Sequence, residues 1–475
     1  MSDIVPLEPS IIVIFGITGD LSKRYLLPAL YHLIKVGLLD SQSLIIGVSR
    51  QQISSEELVT GIDLHLGEDT EAGDTEATLQ FKKQIRMVQL DLDSLDDYKK
   101  LNQTLESIEA EQGRCMNRLF YLSVPPKVYN SIIQLIGQAG LNENCSHGAA
   151  ASRLLVEKPF GYDLTSAMNL IEETSKVFNE DQLFRIDHYL AKETVQNILT
   201  FRFENPIFEA LWNHEHIASI EIFASEQIGI MGRKIFYEPL GSLRDFIQSH
   251  LLQLLAIVTM DRPQQMSSQL IHDNKLLLLD SVVPVDVEGD KVNLIRGQYE
   301  GYRLEVENPE SNTETFSAIE TYINNERWRG VPIRIWTGKG LAEKRTEIVV
   351  TFKNEQQQPN RLRFRISPNE GIEIELLAKK PGYATDLQPA LMDFSYGSSF
   401  SSYSHPNAYE RVLVDAIHGD HTLFATSQEV LSAWRIVQPV LDKWASSNGQ
   451  DLKLYPMGSF GNDLAKPIFG EFDTL

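Results

Sequence analysis

The stretch Ile11–Tyr31 reads "IIVIFGITGDLSKRYLLPALY" and decides the fold. An apolar run ends at Gly16, a turn follows with Gly19, and apolar residues then recur at three- and four-residue spacing. This pattern predicts a strand, a turn and a helix, the arrangement in which a dinucleotide pyrophosphate meets free N–H groups at a helix N-terminus. Two glycines can also only relieve steric crowding, so the turn alone leaves a cofactor site and a structural turn both open.

Further strand-like apolar runs follow through the first third of the chain: "SLIIGVS", "IRMVQLD", "RLFYLSV", "RLLVEKP" and "QLFRID". Between them, "KRYLLPALYHLIKVG" and "KVYNSIIQLIGQAG" have helical spacing and end in glycine, a common helix stop. Alternating strands and helices predict an α/β, Rossmann-like parallel sheet for residues 1–187.

The pattern changes after about residue 200, where alternating apolar and polar residues predict strands in "ASIEIFASEQ", "KVNLIRGQYEGYRLEVE", "EIVVTFK", "RLRFRIS" and "IEIELLAKK". Helical segments near 242–258 and 427–443 interrupt them. Residues 188–475 are therefore predicted to form a large α+β domain with a mainly antiparallel sheet. The acidic segment "GEDTEAGDTEAT" from Gly67 is predicted to be a solvated loop.

Composition restricts the class of protein. The 475 residues include 43 basic and 65 acidic residues, and the net charge of −22 argues against nucleic acid or an anionic membrane as partner. The N-terminus lacks a basic region and its apolar run is short, so neither a signal peptide nor a membrane span is expected. Cys115 and Cys145 are too few for a disulfide framework, which favours a reducing cytoplasm.

The ends of the predicted parallel strands carry the candidate ligand groups, because ligands of such sheets bind beyond the carboxyl ends of the strands. A NAD site has a carboxylate near the end of the second strand, but this chain reads "GVSRQ" there. Arg50 offers a guanidinium for a 2′-phosphate, so NADP is favoured over NAD, although a solvent-facing arginine would look the same.

The stretch "RIDHYLAKE" supplies an acid, an imidazole, a phenol and a lysine after the last predicted parallel strand. If a helix follows Asp187, His188 and Lys192 share one helical face and could hold a phosphate. Asp187 could equally be a helix cap beside solvated side chains.

Histidines elsewhere are less decisive. His250 stands with Asp245 in the apolar helical pattern "GSLRDFIQSHLLQLLAIV", where it is either a satisfied core group or a general base paired with a carboxylate. His214 with His216, and His418 with His421, lack a third ligand at metal-binding spacing, so no metal is predicted.

Several blocks together resemble the glucose-6-phosphate dehydrogenase family and occur in family order from about Ile11 to Phe460: "GITGDLSKRYLLPALY", "YLSVPPKVY", "EKPFGYDL", "RIDHYLAKE", "GSLRDFIQSHLLQ", "TGKGLAEKRTEI", "YERVLVDAIHGDHTLF" and "AWRIVQPVLDKW". The resemblance implies oxidation of glucose 6-phosphate at C1 by NADP+ to 6-phosphogluconolactone. It also implies a homodimer or homotetramer assembled through the second sheet.

The resemblance assigns a role to each matching residue. His250 would be the general base and Asp187 its partner carboxylate. Lys158 would reach both substrate and nicotinamide, with Pro159 as a hinge, and Gly16, Thr18, Gly19 and Arg50 match the NADP site. The remaining matches concern the sugar phosphate. The phosphate group would be held by His188, Tyr189 and Lys192. Sugar hydroxyls would be bound by Glu226 and Asp245, and two further basic positions that approach the substrate match Lys339 and Lys344.

The chain departs from the family pattern mainly in its second part, at Ala191, Ser249, Trp336 and the segment "GRKIFYE" from Gly232 to Glu238. These departures leave two alternatives open. The first is a related sugar-phosphate dehydrogenase with altered substrate preference, and the second is a non-catalytic regulatory relative.

Overall fold

The computed structural model describes residues 6–63, 75–145, 148–287, 293–354, 358–400 and 406–470. These residues divide between two compact units, the first within Met1–Phe160, Met168–Ala191 and His405–Ser427, the second within Gly161–Ala167, Lys192–Ser404 and Gln428–Leu475. The single boundary at residue 187 stays a prediction. Most of the acidic segment lies outside the described residues, but 75–78 begin a helix rather than a loop.

The strands have these bounds: β1 Ser10–Phe15, β2 Leu44–Ser49, β3 Ile85–Gln89, β4 Asn117–Leu122, β5 Ser152–Val156, β6 Leu183–Ile186, β7 Ile217–Ser225, β8 Leu294–Tyr299, β9 Phe316–Thr321, β10 Ile333–Gly338, β11 Arg345–Phe352, β12 Arg361–Ser367, β13 Gly371–Lys379, β14 Leu387–Ser395, β15 Phe424–Ala425 and β16 Leu452–Tyr455.

The α-helices have these bounds: α1 Leu27–Lys35, α2 Ser55–Asp63, α3 Thr75–Gln84, α4 Leu95–Gln112, α5 Tyr129–Gln138, α6 Leu164–Ser175, α7 Glu193–Phe203, α8 Pro206–Glu209, α9 Lys234–Tyr237, α10 Leu252–Thr259, α11 Ser268–Ser281, α12 Tyr302–Glu305, α13 Tyr396–Ser399, α14 Ala408–His418, α15 Ser427–Ser446 and α16 Gly461–Phe469. Segments Ser22–Leu26 and Leu243–Leu251 are wound as π-helix.

The first unit contains a sheet in the order β15-β6-β5-β4-β1-β2-β3. Strands β1 to β6 are parallel, and the short β15 adds antiparallel to β6. The order of the six parallel strands is that of a dinucleotide-binding Rossmann sheet, with its switch point between β1 and β4. The predicted α/β class is confirmed, and each apolar run quoted for this part forms a strand.

The second unit contains a sheet in the order β14-β13-β12-β11-β7-β10-β9-β8-β16. Its pairs are antiparallel except β7 with β10 and β8 with β16, so the predicted mainly antiparallel sheet is confirmed. The prediction of a continuous strand through "YRLEVE" is wrong, because Tyr302–Glu305 forms α12 after a turn at Gly301.

Aromatic residues fill the core around the middle of the second sheet. The rings of Phe223 and Trp336 stack with centroids 4.5 Å apart, and Trp336 Nε1 donates to Glu221 Oε1 at 2.8 Å. Trp336, one of the departures from the family pattern, is thus a buried core residue with its polar atom satisfied.

Cys115 and Cys145 are joined by a disulfide in the first unit, with Cα atoms 6.2 Å apart. The sequence did not predict this bond. One disulfide is not a framework of several disulfides. Because disulfides are rare in a reducing compartment, however, the two cysteines no longer support the prediction of such a compartment.

Candidate active site

The glycine turn lies at the switch point of the first sheet. Gly16 follows β1 with a left-handed φ of 82°, and a Cβ there would collide with the carbonyl oxygen of Ser123, just beyond β4. Ser22 Oγ is 3.1 Å from Gly16 O and 2.9 Å from Ser123 Oγ, which ties the following π-helical segment to both strand ends. The turn therefore has a steric reason for Gly16 and also the position expected of a phosphate loop.

Thr18 and Gly19 complete the turn, in which Gly19 N–H donates to Gly16 O at 2.9 Å. Arg50 lies exposed directly after β2, at the same edge of the sheet. Small residues, a helix N-terminus and an exposed guanidinium are the groups that a dinucleotide phosphate needs, so these residues fit such a cofactor.

Lys158 follows β5 at this edge and is half-buried, and its peptide bond to Pro159 is cis. Beside it lies Glu157, which sequence reasoning missed. Tyr121 Oη donates to Glu157 Oε1 at 2.5 Å, and burial raises the pKa of Glu157 to about 7 against the lowering effects of Tyr121 and of the Lys158 charge. A buried acid therefore immediately precedes the predicted substrate lysine in the chain.

Asp187 directly follows β6 and is 3% exposed. Its Oδ1 accepts the Tyr189 N–H at 2.9 Å, so it caps a turn. The shared helical face predicted for His188 and Lys192 is wrong, because α7 begins only at Glu193 and Lys192 is its N-cap residue. The alternative of Asp187 as a helix cap is wrong for the same reason.

His188 and Tyr189 lie in this turn, half-buried, with ring centroids 5.0 Å apart. Lys192, in the second unit, has Nζ 3.6 Å from Glu370 Oε1, and Glu370 also accepts the Thr194 N–H at 3.1 Å. A carboxylate thus already occupies one side of Lys192, and a phosphate would have to share that lysine with it.

Three of the predicted substrate-binding residues of the second unit, Glu226, Asp245 and Lys339, form one cluster. Lys339, which is 3% exposed, forms an ion pair with Glu226, and its Nζ lies 3.8 Å from Asp245 Oδ2. The same Nζ is 5.1 Å from the ring centre of Tyr237 and 5.5 Å from that of Phe246. Two acids and one cation held against aromatic rings are suited to bind the hydroxyls of a sugar.

Asp245 and His250 both lie on the π-helical segment Leu243–Leu251, which continues directly into α10. His250 is 1% exposed and packs edge-on against Phe246, with centroids 5.6 Å apart. π-Helical turns are rare and often mark functional sites. Asp187 and His250 belong to different units, so their predicted pairing stays a prediction.

Lys344 is exposed and lies just before β11, five residues after Lys339. Its neighbour Arg345 turns instead toward carboxylates, with Nε 2.8 Å from Glu343 Oε2 and Nη1 3.8 Å from Glu347 Oε2. The two lysines therefore have different surroundings, one buried in the cluster and the other open to solvent.

Two absences concern only the described part of the chain. No group of three or more histidine, cysteine or acidic residues there could hold a metal ion. No helix in those residues combines the length and the apolarity needed to cross a bilayer.

Two family models together match almost the whole chain. Residues 13–197 match the family model "Glucose-6-phosphate dehydrogenase, NAD binding domain", and residues 199–472 match "Glucose-6-phosphate dehydrogenase, C-terminal domain". Proteins named glucose-6-phosphate 1-dehydrogenase are similar along nearly the whole chain. That of Chlamydia pneumoniae is 39% identical, covering 95% of this chain and 93% of its own. That of Rhizobium meliloti is 38% identical, covering 97% and 96%.

A solved structure described as glucose-6-phosphate dehydrogenase in complex with its substrate glucose-6-phosphate superposes with a TM-score of 0.91. It is 33% identical and covers 99% of this chain and 100% of its own. The family models and the named relatives define an oxidoreductase that acts on a CH–OH group with a nicotinamide cofactor. The chain belongs to the glucose-6-phosphate dehydrogenase family.

Proposed function

We propose that this protein oxidises D-glucose 6-phosphate at C1 to 6-phospho-D-glucono-1,5-lactone with NADP+, the first step of the oxidative pentose phosphate pathway. The observation that carries most of the proposal is the arrangement around Asp245. Its Oδ2 lies 3.8 Å from Lys339 Nζ, which also pairs with Glu226, and it is on the same helical segment as His250. A hydroxyl-binding cluster is thereby joined to a candidate base.

In the proposed reaction, His250 accepts the proton of the C1 hydroxyl while the C1–H bond breaks with its electron pair and the C1=O bond forms. Asp187 orients the imidazole and stabilises its charged form, the usual role of a carboxylate behind a histidine base. When bound, NADP+ supplies the hydride acceptor. Gly16, Thr18, Gly19 and Arg50 would hold it, and Lys158 would contact both cofactor and sugar.

The substrate is positioned by charge and by hydrogen bonds. His188, Tyr189 and Lys192 would hold the 6-phosphate, while Glu226 and Asp245 would accept hydrogen bonds from sugar hydroxyls. Lys339 would keep this pair of acids in place, and Lys344 would supply a further, mobile cation.

A substrate and cofactor survey of the purified protein tests the proposal. Formation of the reduced cofactor, NADPH from NADP+ or NADH from NAD+, is followed with glucose 6-phosphate, its C2 and C4 epimers and free glucose. We expect glucose 6-phosphate with NADP+ to have the highest kcat/KM. Free glucose performing as well as the phosphate ester would refute the roles of His188 and Lys192.

The alternatives make different predictions in the same survey. The altered "GRKIFYE" segment favours a related sugar-phosphate dehydrogenase, which would oxidise an epimer better than glucose 6-phosphate. A regulatory relative would form no NADPH with any of them.

Assembly and location belong to the proposal too. Exposed apolar residues on the β13–β14 edge of the second sheet support a homodimer or homotetramer. A cytoplasmic location, with no nucleic-acid or membrane partner, stays a prediction from charge and family, and fractionation of cells carrying the tagged protein would test it.

A further inference from the structure

The segment that carries Asp245 and His250 is anchored at its start by a buried acid that the proposed reaction does not use. Glu314, 4% exposed, accepts the Leu243 N–H on its Oε1 at 3.1 Å. Its main-chain oxygen accepts the neighbouring Ser242 N–H at 3.0 Å. One residue thus satisfies two donors at a helix N-terminus, where donors otherwise lack partners.

Gly241 shows how closely the carboxyl group is seated. This glycine has a left-handed φ of 68°, and a Cβ on it would overlap the Glu314 carboxyl group. The Glu314 side chain therefore occupies the place that a side chain at position 241 would need. The contact between Glu314 and the helical segment therefore requires both the Glu314 carboxyl group and a glycine at position 241.

The main chain at Glu314 and Thr315 is hydrogen-bonded to residues of the sugar-binding cluster. Tyr237 Oη donates to Glu314 O at 3.3 Å, and the next residue, Thr315, accepts the Lys339 N–H at 2.9 Å. The main chain at 314–315 thus fixes Lys339, while the Glu314 carboxyl group fixes the helical segment opposite it. The spacing between Lys339 and Asp245 depends on both attachments.

Burial and two guanidinium charges, those of Arg244 and Arg296, also act on the carboxyl group. Burial raises the pKa of Glu314 above its usual value, and the nearby Arg244 charge lowers it. A buried acid that faces a helix N-terminus is held by the N–H group that it accepts and by the positive end of the helix dipole.

We propose that Glu314 is a positioning residue: it fixes the segment that carries Asp245 and His250. The inference rests on the proposed function, in which that segment supplies both hydroxyl binding and proton removal. Because a misplacement of about 1 Å in a reacting geometry can reduce a rate about 100-fold, a shift at Leu243 affects turnover more than folding.

Two substitutions of Glu314 separate the effect of side-chain length from the effect of charge. Glu314→Gln loses the charge but keeps an oxygen for the Leu243 N–H, so kcat is expected to stay within threefold. Glu314→Asp keeps the charge but is shorter by about 1.5 Å, so kcat is expected to fall at least tenfold. The KM for NADP+ should stay within twofold in both variants, because Gly16 and Arg50 are untouched.

Glu375 provides the matched control. Like Glu314 it is 4% exposed, and it lies on β13 of the second sheet. It accepts from Gln358 Nε2 at 3.0 Å and from Arg361 Nη1 at 3.5 Å, and among the described residues it forms no hydrogen bond to Leu243–Leu251. Glu375→Gln and Glu375→Asp should keep kcat within twofold. If Glu314→Asp matches Glu375→Asp, or retains more kcat than Glu314→Gln, the inference is wrong.

Gly241→Ala tests the same contact from the other side if Glu314→Asp fails to fold. Its Cβ displaces the carboxyl group, so kcat should fall without a change in the KM for NADP+, and wild-type kcat in this variant would overturn the inference. A wild-type protein inactive on glucose 6-phosphate would refute the proposed function itself. An active wild type with no response at Glu314 or Gly241 would refute only the positioning role.

Discussion

At the scale of single residues, His250 is the side chain whose replacement the proposed reaction should tolerate least. His250→Asn keeps polarity but cannot take up the C1 hydroxyl proton, so kcat should fall by roughly 10²- to 10⁴-fold. The KM for glucose 6-phosphate should change little, because the phosphate is assigned to other residues. Initial rates of the purified variant measure this, and unchanged turnover would rule out His250 as the base.

Lys339 and Lys344, the two lysines of "GKGLAEK", should contribute differently to the stability of the folded protein. Lys339→Met leaves Glu226 and Asp245 without their buried cation, which should cost roughly 3 kcal/mol of unfolding free energy and most of kcat/KM. Lys344→Met, at an exposed position, should cost less than about 0.5 kcal/mol and act only on KM. Denaturant unfolding and steady-state kinetics separate them, and equal losses of stability would contradict the cluster.

The grouping of Glu226, Asp245 and Lys339 could not be predicted from their spacing. Glu226 follows β7 and Lys339 follows β10, and the two strands meet because of a parallel register, Ser225 with Gly338, that joins distant parts of the chain. Family resemblance selected the three residues, but only the register explains why Glu226 and Lys339 touch, and Asp245 reaches them from the helical segment Leu243–Leu251. Glu314 lies in the polar stretch "ESNTET" and carried no signal in the sequence.

At the scale of elements, the end of β2 should decide cofactor choice. Arg50→Ser removes the guanidinium proposed for the 2′-phosphate, and the KM for NADP+ should rise about tenfold or more while that for NAD+ stays nearly constant. Arg86→Ser is the control, because Arg86 is also exposed but lies near the start of β3, at the opposite edge of the sheet. Equal effects on both cofactors would contradict the NADP assignment.

The end of β5 should make stability depend on pH. The folded pKa of Glu157, about 7, lies above its ordinary value of 4.5, so its contribution to stability is complete below pH 4.5 and lost as pH rises through 7. The loss is about 3 kcal/mol. Glu157→Gln cannot ionise, and its thermal midpoint relative to wild type should rise between these pH values.

Tyr121→Phe provides the counterpart to that experiment. It removes the hydrogen bond that lowers the Glu157 pKa, so the loss of stability at high pH should be larger than in wild type. A pH dependence equal to wild type in both Glu157→Gln and Tyr121→Phe would show that Glu157 does not ionise in this range.

Elements were predictable where a largely buried parallel strand leaves a mainly apolar run, as in β1, β2, β4, β5 and β6. Prediction failed where local pattern and tertiary context disagree. "YRLEVE" alternates like a strand, yet the left-handed turn at Gly301 converts Tyr302–Glu305 into a short helix. The two-residue β15 has no period to detect, and it exists only because β6 offers it an edge.

At the scale of the whole molecule, the edge of the second sheet formed by β13 and β14 should be an interface between two copies of the protein. Leu376 on β13 and Met392 on the edge strand β14 lie on one face of the sheet, and are 38% and 61% exposed. Leu376→Lys with Met392→Lys should shift the protein toward the monomer in sedimentation experiments. Leu304→Lys, at an 85% exposed position on α12, is the control, and an unchanged oligomer in the double variant would place the interface elsewhere.

The place of β15 has a consequence for synthesis on the ribosome. Phe424 and Ala425 pair with Ile186 and Arg185, and Ser427 N–H donates to Glu180 Oε1 at 2.8 Å. The nascent chain must therefore grow by almost 240 further residues after β6 before this sheet is complete. At roughly 5–20 residues per second, β6 remains an uncovered strand edge for about 10–50 s. This interval is when the newly made protein is most exposed to mispairing and to chaperones.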